Sequence, residues 1–148
     1  MRSDAVTVFN LLAVTTAIGL LAYDLMRVLV VDDNRDVAIA LARLLRLDGH
    51  ETFLAHDGVE RVNATARYRP QVVLLDLGMP GLDGYDVCHR LRIAQVGSPL
   101  HIVAMTGGIL EGDRERSLAA GFDEHLVKPV AYATLIALLG SLRPASPR

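Results

Sequence analysis

The sequence predicts an α/β domain built on a five-stranded parallel sheet with helices on both faces. Short apolar runs alternate five times with segments of helical periodicity, which is typical of parallel strands joined by crossover helices. The run at residues 72–75, VVLL, does not alternate between apolar and polar residues. Such a run indicates a strand that is buried on both faces, as parallel sheets require.

Through residue 75, strands are predicted over 27–31, 51–55 and 71–75, with helices over 35–47 and 57–67 between them. The first strand is apolar and mostly β-branched, a composition that favours strands. Asn34 offers an N-cap for the first helix, and Gly49 offers a stop after it. The apolar residues of that helix recur at helical spacing: Val37, Leu41, Leu44 and Leu45.

In the second half, the turn at 78–84 is followed by helices predicted over 85–93, 111–120 and 131–142, with strands over 100–105 and 123–127. Asp83 is placed to cap the first of these helices. We expect Val87, Cys88 and Leu91 to face the core from that helix. The last helix is apolar at four positions: Leu135, Ile136, Leu138 and Leu139.

Composition limits the classes of function. A chain of 148 residues with 51% hydrophobic content is long enough for one domain with a sizeable core. Its formal net charge of −2 and the lack of a basic patch predict no binding to nucleic acid. The single cysteine, Cys88, excludes an intramolecular disulfide, suits a reducing compartment such as the cytoplasm, and is interpreted as a packing residue.

The N-terminal stretch differs from the rest, because the 19 residues from Ala5 to Tyr23 carry no charge. That is close to the length that spans a bilayer, although four polar residues, Thr7, Asn10, Thr15 and Thr16, weaken the signal. Three interpretations stay open: a membrane anchor holding the domain at the inner face, an upstream extension without a role, and an extra helix packed on the domain or a partner. We therefore divide the chain into an apolar segment at 1–25, a domain at 26–142 and a tail at 143–148.

Four of the five predicted strands end at residues whose side chains can bind ions or take part in catalysis: Asp32–Asp33, Asp76, Thr106 and Lys128. The carboxyl ends of parallel strands share one edge of the sheet, so these side chains should converge. Strand order 2-1-3-4-5 fits best, since it makes the first and third strands neighbours. Three carboxylates repel one another and favour a cation; oxygen ligands beside a phosphate suit Mg²⁺. Lys128 and Thr106 would supply a charge and a hydroxyl for an anionic group. Taken singly, each of these residues could instead be a helix cap, a turn cap or a surface residue.

Four segments in this order and spacing, VLVVDDN, VVLLDLGMPGLDG, IVAMTG and HLVKP, resemble the receiver domain of two-component response regulators. The resemblance covers about residues 26–142 and implies a flavodoxin-like fold. It implies that Asp76 is the phosphoacceptor, taking a phosphoryl group from a sensor histidine kinase or a histidine phosphotransfer protein. It also implies that the chain catalyses only its own phosphorylation and dephosphorylation and signals to a downstream protein.

The same resemblance assigns the remaining roles. Asp33 and Asp76 would hold Mg²⁺ directly, helped by the backbone carbonyl of Gly78, and Asp32 would reach the metal through water. Thr106 and Lys128 would bind phosphoryl oxygens. Pro129, after the lysine, resembles the proline of the family that follows a cis peptide bond.

One position departs from the family pattern. His125 stands three residues before Lys128, where the family usually has Tyr or Phe as a rotameric switch. An imidazole is smaller and more polar, so its inward position is costlier unless it is hydrogen-bonded. We therefore expect weaker coupling between phosphorylation and output, or a different output face; a ring that stays outward in both states is the alternative.

Other functions are compatible with parts of this pattern. A phosphorelay shuttle or a phosphate sink would use the same residues. A phosphatase of the haloacid dehalogenase type would need Asp-x-Asp after the first strand, where this chain has Asp32-Asp33-Asn34. A receiver used only for docking would not need the complete acidic set. His50, His56, His89 and His101 show no spacing typical of metal ligands.

Overall fold

The computed structural model describes residues 25–56, 58–81, 83–94, 99–108 and 113–142. The predictions for the apolar segment and for the tail therefore lie outside the described residues. Among the residues that are described, no helix is both long enough and apolar enough to cross a membrane.

Five parallel strands form one sheet in the order β2-β1-β3-β4-β5, which confirms the predicted fold and strand order. The strands are β1 Arg27–Val31, β2 Glu51–Ala55, β3 Val72–Asp76, β4 His101–Thr106 and β5 Glu124–Val127. Every residue of β3 is buried, as its unbroken apolar run predicted. The β3 strand lies at the centre of the sheet, so helices cover it on both faces.

The helices are α1 Arg35–Leu47, α2 Gly58–Tyr68, α3 Gly84–Ala94, α4 Asp113–Ala120 and α5 Tyr132–Ser141. Neighbouring residues along a strand point to opposite faces of the sheet, so the strands feed two separate cores. Leu29 and Val31 pack with α2 and α3, whereas Val28 and Val30 pack with α1 and α5. The result is a three-layer α/β arrangement whose helices lie on both faces.

The ends of α1 agree with the predicted ones and have clear physical causes. The side chain of Asn34 accepts a hydrogen bond of 3.2 Å from the Val37 amide, so Asn34 is the N-cap. Gly49 follows the helix with φ of 92°, a conformation that glycine adopts without steric cost. Asp83 caps α3 in a similar way, because its Oδ1 accepts from the Tyr85 amide at 2.9 Å.

The face that α1 buries differs in part from the predicted one. Leu45 is buried and Leu41 is half-buried, but Val37 and Leu44 are exposed. Ala38 and Ala42 occupy the inward positions instead, and their small side chains let the helix lie close to the sheet. In α3 and α5 the predicted inward residues agree better: Val87, Cys88, Leu91, Leu135 and Leu139 are buried.

Candidate functional site

Asp76 is the last residue of β3 and lies nearly buried at the carboxyl edge of the sheet, 5% exposed. Its Oδ1 accepts a hydrogen bond from the Gly78 amide at 2.9 Å and lies 3.1 Å from Lys128 Nζ. A Cβ at position 78 would lie 3.3 Å from that same oxygen, so glycine leaves room for the close turn. These two contacts fix the orientation of the carboxylate in a place where charge is costly without partners.

Asp32 and Asp33 follow β1, the neighbour of β3, and reach the same place. Asp32 is fully buried; its Oδ1 accepts from the Asn34 amide at 3.0 Å and its Oδ2 lies 3.1 Å from Lys128 Nζ. Asp33 is exposed. One carboxylate oxygen from each of Asp32, Asp33 and Asp76 lies within 4.8 Å of the other two. The sheet therefore brings the three predicted acidic residues together, two inside and one at the surface.

Lys128 neutralises part of this negative charge. Its Nζ lies 3.1 Å from a carboxylate oxygen of both Asp32 and Asp76. Burial lowers the pKa of the Lys128 ammonium, but hydrogen bonds to Asp32 and Asp76, together with their charges, outweigh that effect and raise the pKa above its ordinary value. The Lys128–Pro129 peptide bond is cis, as the resemblance implied. The lysine is therefore a charged partner of both buried carboxylates.

Thr106 ends β4 at the same edge of the sheet. The β3–β4 register aligns Asp76 with Met105, the residue directly before it. The Thr106 carbonyl accepts a hydrogen bond of 2.6 Å from the Lys128 amide, which joins the end of β4 to the residue that follows β5. Its hydroxyl is buried and has no hydrogen-bond partner among the described residues. A buried hydroxyl without a partner carries a free-energy cost that a hydrogen bond to an incoming group would remove.

His56 also lies at the site, although its position there was not predicted from the sequence. Its Nδ1 lies 3.1 Å from the Asp32 carbonyl oxygen. Because a carbonyl only accepts, that nitrogen carries the proton. The sequence held a signal for the position of His56, although not for this hydrogen bond: His56 directly follows β2, as Asp32 follows β1, and the last paired residues are Val31 and Ala55. His56 thus helps to hold the chain where the acidic pair leaves the strand.

His125 lies in β5, opposite Ala104 of β4, and is half-buried. Its ring centroid lies 6.0 Å from that of Phe122, and the Phe122 ring packs edge-on against Tyr85 at 6.0 Å. The Arg116 guanidinium of α4 lies over the Tyr85 ring, 4.2 Å from its centroid. The ring of His125 is therefore the first of a series of side chains that leads to α4.

The acidic cluster suits a hard cation. Its ligand atoms are all carboxylate oxygens, and the exposed Asp33 leaves a side open to solvent. No other group of three His, Cys, Asp or Glu side chains within the described ranges could hold a metal ion. The donor set matches the oxygen ligands and open coordination that Mg²⁺ prefers, so the residues present fit the metal that the resemblance implies.

Comparison with known proteins also indicates a receiver domain. The family model for the response regulator receiver domain matches residues 28–140. Response regulator MprA of Mycobacterium avium is 43% identical over 117 residues, which are 79% of this chain and 50% of that protein. MprA of Mycobacterium leprae is 42% identical over 117 residues, with the same two coverages of 79% and 50%. The chain thus spans about half the length of the curated relatives it matches.

Solved structures share the fold over most of the chain. The receiver domain of sensor histidine kinase PA1611 from Pseudomonas aeruginosa, which has a magnesium ion in its active site cleft, is 32% identical with a TM-score of 0.71, covering 81% of this chain and 98% of that one. Chemotaxis protein CheY4 of Vibrio cholerae is 25% identical with a TM-score of 0.74, covering 80% and 98%.

A third structure is the signal receiver domain of a DNA binding response regulator from Colwellia psychrerythraea, 25% identical with a TM-score of 0.73, covering 79% of this chain and 97% of that one. Sequence, fold and the convergence of strand-end residues agree. The chain therefore belongs to the response regulator receiver domains of two-component systems.

Proposed function

We propose that this receiver domain accepts a phosphoryl group on Asp76 from a phosphohistidine of a sensor histidine kinase or a histidine phosphotransfer protein. The observation that carries the proposal is the position of the Asp76 carboxylate. It is nearly buried, 3.1 Å from Lys128 Nζ, and within 4.8 Å of the ligand oxygens of Asp32 and Asp33. A carboxylate held beside a cation and two further acidic groups is suited to phosphoryl transfer.

The transfer balances as one displacement at phosphorus. A carboxylate oxygen of Asp76 attacks the phosphorus, an O–P bond forms, and the N–P bond of the phosphohistidine breaks. The electron pair of the broken bond stays on the imidazole nitrogen, which takes a proton from solvent. Lys128 contributes its ammonium to the transferred oxygens, and the Thr106 hydroxyl donates a hydrogen bond to them. Both groups are already positioned at this edge, so little reorganisation is needed.

Asp33 and Asp76 would hold Mg²⁺ directly, with the carbonyl of Gly78 as a further ligand. Asp32 would reach the ion through water. When bound, the ion neutralises negative charge on the carboxylates and on the transferring group. Without such a cation, two carboxylates about 4 Å apart repel by about 4 kcal/mol at an effective dielectric constant near 20. The closeness of Asp32, Asp33 and Asp76 supports this assignment, and the magnesium in the PA1611 receiver domain is consistent with it.

The signal would leave the site through His125. Movement of its ring changes the contact with Phe122, and through Tyr85 it changes the environment of Arg116 on α4. We propose that a protein partner reads the surface formed by α4, β5 and α5.

Transfer onward to another histidine, as in a phosphorelay shuttle, would use the same Asp76 chemistry. A cytoplasmic location and the lack of a nucleic-acid partner stay predictions; the Colwellia domain comes from a regulator that binds DNA.

The test is phosphorylation of the full chain by a small phosphodonor, with Mg²⁺ present or removed by a chelator. We expect the wild type to gain an acid-stable, base-labile acyl phosphate only with Mg²⁺, and Asp76→Asn to gain none. Asp36→Asn is the matched control, since Asp36 is an exposed carboxylate in the first turn of α1. Equal labelling of Asp76→Asn and wild type would refute the assignment.

A further inference from the structure

Helix α1 carries an exposed apolar stripe, formed by Val37, Ala40, Leu44 and Leu47 and called the α1 stripe below. Val37, Leu44 and Leu47 are 45%, 40% and 82% exposed. With 3.6 residues per turn, their spacing places the four side chains along one side of the helix, over about 15 Å. Large apolar side chains aligned in this way favour a contact that removes them from water.

The α1 stripe lies on the side of the helix that faces α5. Tyr132, at the start of α5, is half-exposed, and its hydroxyl lies 3.5 Å from the Leu44 carbonyl. The aromatic ring of Tyr132 therefore borders the stripe. A segment lying on the stripe would contact apolar atoms from two helices.

The chain enters the domain beside one end of this stripe. Leu25, the first described residue, is 46% exposed, and its Cδ2 lies 2.6 Å from the point that a Cβ on Gly49 would occupy. Gly49 follows the end of α1, two residues after Leu47. The chain therefore reaches Leu25 near the end of α1 that carries Leu47.

We propose that residues 5–23 dock on the α1 stripe of their own domain, starting at Leu47 and continuing toward Val37. In helical form, 19 residues measure about 28 Å, more than the stripe requires. The segment is joined to the domain near the Leu47 end of the stripe, so its local concentration at the stripe is high. Docking also lets Thr7, Asn10, Thr15 and Thr16 share a surface with water, whereas a bilayer core would isolate polar groups from it.

Photo-crosslinking of the full chain tests the proposal. A benzophenone amino acid replaces Leu47 in one sample and Ile39 in a second, matched sample. Ile39 is also apolar and exposed on α1, but it lies about 140° around the helix from Leu44 and about 12 Å along the helix from Leu47. We expect cross-links from position 47 to residues 5–23 of the same chain and none from position 39. A mixture of light and isotopically heavy chains separates links within a chain from links between chains.

A second measurement uses chymotrypsin, which cleaves after Phe9 and Tyr23. Leu44→Gln combined with Leu47→Gln should speed cleavage there about tenfold, because cleavage follows the population of the undocked segment. Ile39→Gln should leave the rate within about twofold of the wild type. Unchanged rates in the double variant would overturn the proposal, provided that its melting temperature shows a folded domain.

Three further outcomes would also overturn it. Cross-links only between chains would show that a second copy covers the stripe. Loss of the cross-link on addition of phosphatidylcholine and phosphatidylglycerol vesicles, with the chain sedimenting with them, would show that the segment prefers a bilayer. Equal cross-linking from positions 47 and 39 would show contact without a defined site.

Discussion

Lys128 offsets negative charge at the site, because its Nζ lies 3.1 Å from a carboxylate oxygen of both Asp32 and Asp76. We predict that Lys128→Met lowers the rate of Asp76 phosphorylation by about a hundredfold, since a positioned charge is lost from the transferring group. The same change should raise the affinity for Mg²⁺ by about tenfold, since a positive charge near the cation is removed. Phosphodonor assays measure the phosphorylation rate, and calorimetric titration measures the affinity for Mg²⁺.

Lys128→Arg is the control, because it keeps the charge while changing the geometry of the donor. Its affinity for Mg²⁺ should stay near that of the wild type. A loss of Mg²⁺ affinity in Lys128→Met would contradict the proposed position of the metal.

Cys88 is fully buried in α3, and burial raises the pKa of its thiol from 9.0 to about 11. Above pH 9 the unfolded chain loses the thiol proton while the folded chain keeps it until about pH 11. The free energy of unfolding should therefore fall as pH rises through this window, by about 1.4 kcal/mol for each pH unit.

Urea denaturation from pH 8.5 to 11 of the wild type and of Cys88→Ala measures this contribution. The variant retains every other titrating group, so the difference between the two slopes belongs to Cys88. Identical slopes would show that the thiol ionises equally in both states.

At the scale of the elements, Arg92 joins α3 to the starts of β4 and β5, at the edge of the sheet opposite Asp76. Its guanidinium donates to the Gly121 carbonyl at 2.7 and 2.9 Å, to the Leu100 carbonyl, and to Asp123 Oδ2 at 2.6 Å. That same oxygen of Asp123 accepts from the Ile102 amide at 2.7 Å. One side chain thus satisfies backbone groups from two connections.

We predict that Arg92→Ala lowers the free energy of unfolding by about 1–3 kcal/mol, because the carbonyls of Gly121 and Leu100 and the Asp123 carboxylate each lose the guanidinium as a donor. Arg90 is a matched control on the same helix, since it makes an exposed ion pair with Asp86 at 3.0 Å. Arg90→Ala should cost no more than about 0.5 kcal/mol. Similar midpoints for the two variants in urea would count against this role of Arg92.

The connection between β5 and α4 runs through His125, Phe122, Tyr85 and Arg116. We predict that phosphorylation shifts the backbone amide resonances of α4 only weakly in the wild type and more strongly in His125→Tyr. A larger ring fills more of the space beside Phe122 and couples the two elements more tightly. Equal shifts in both chains would show that position 125 does not limit the coupling.

At the scale of the whole molecule, strand order and site composition could be predicted because they depend on local pattern and on topology. The unbroken apolar run before Asp76 indicated a central strand, and four chemically active strand ends indicated one shared edge. The lateral position of α1 could not be predicted in the same way. Helical spacing marks an apolar arc but not which part of it meets the sheet, so Val37 and Leu44 proved exposed.

The contacts within the site were also beyond the sequence. The amide of Gly78 donates to Asp76, and the ring of His56 donates to the Asp32 carbonyl. Both depend on the path of loops after the strands, which residue type alone does not determine. The double contact of Lys128 with Asp32 and Asp76 likewise requires the register of β1, β3 and β5 together.

The central claim is that Asp76 forms the acyl phosphate. Borohydride reduces an acyl phosphate to the alcohol and so marks the carboxylate that carried it. Peptide mass spectrometry of the full chain, phosphorylated with Mg²⁺ and then reduced, identifies that residue directly. We predict reduction at Asp76, with Asp32 and Asp33 unmodified. Reduction at Asp32 or Asp33, or at none of the three, would contradict the account.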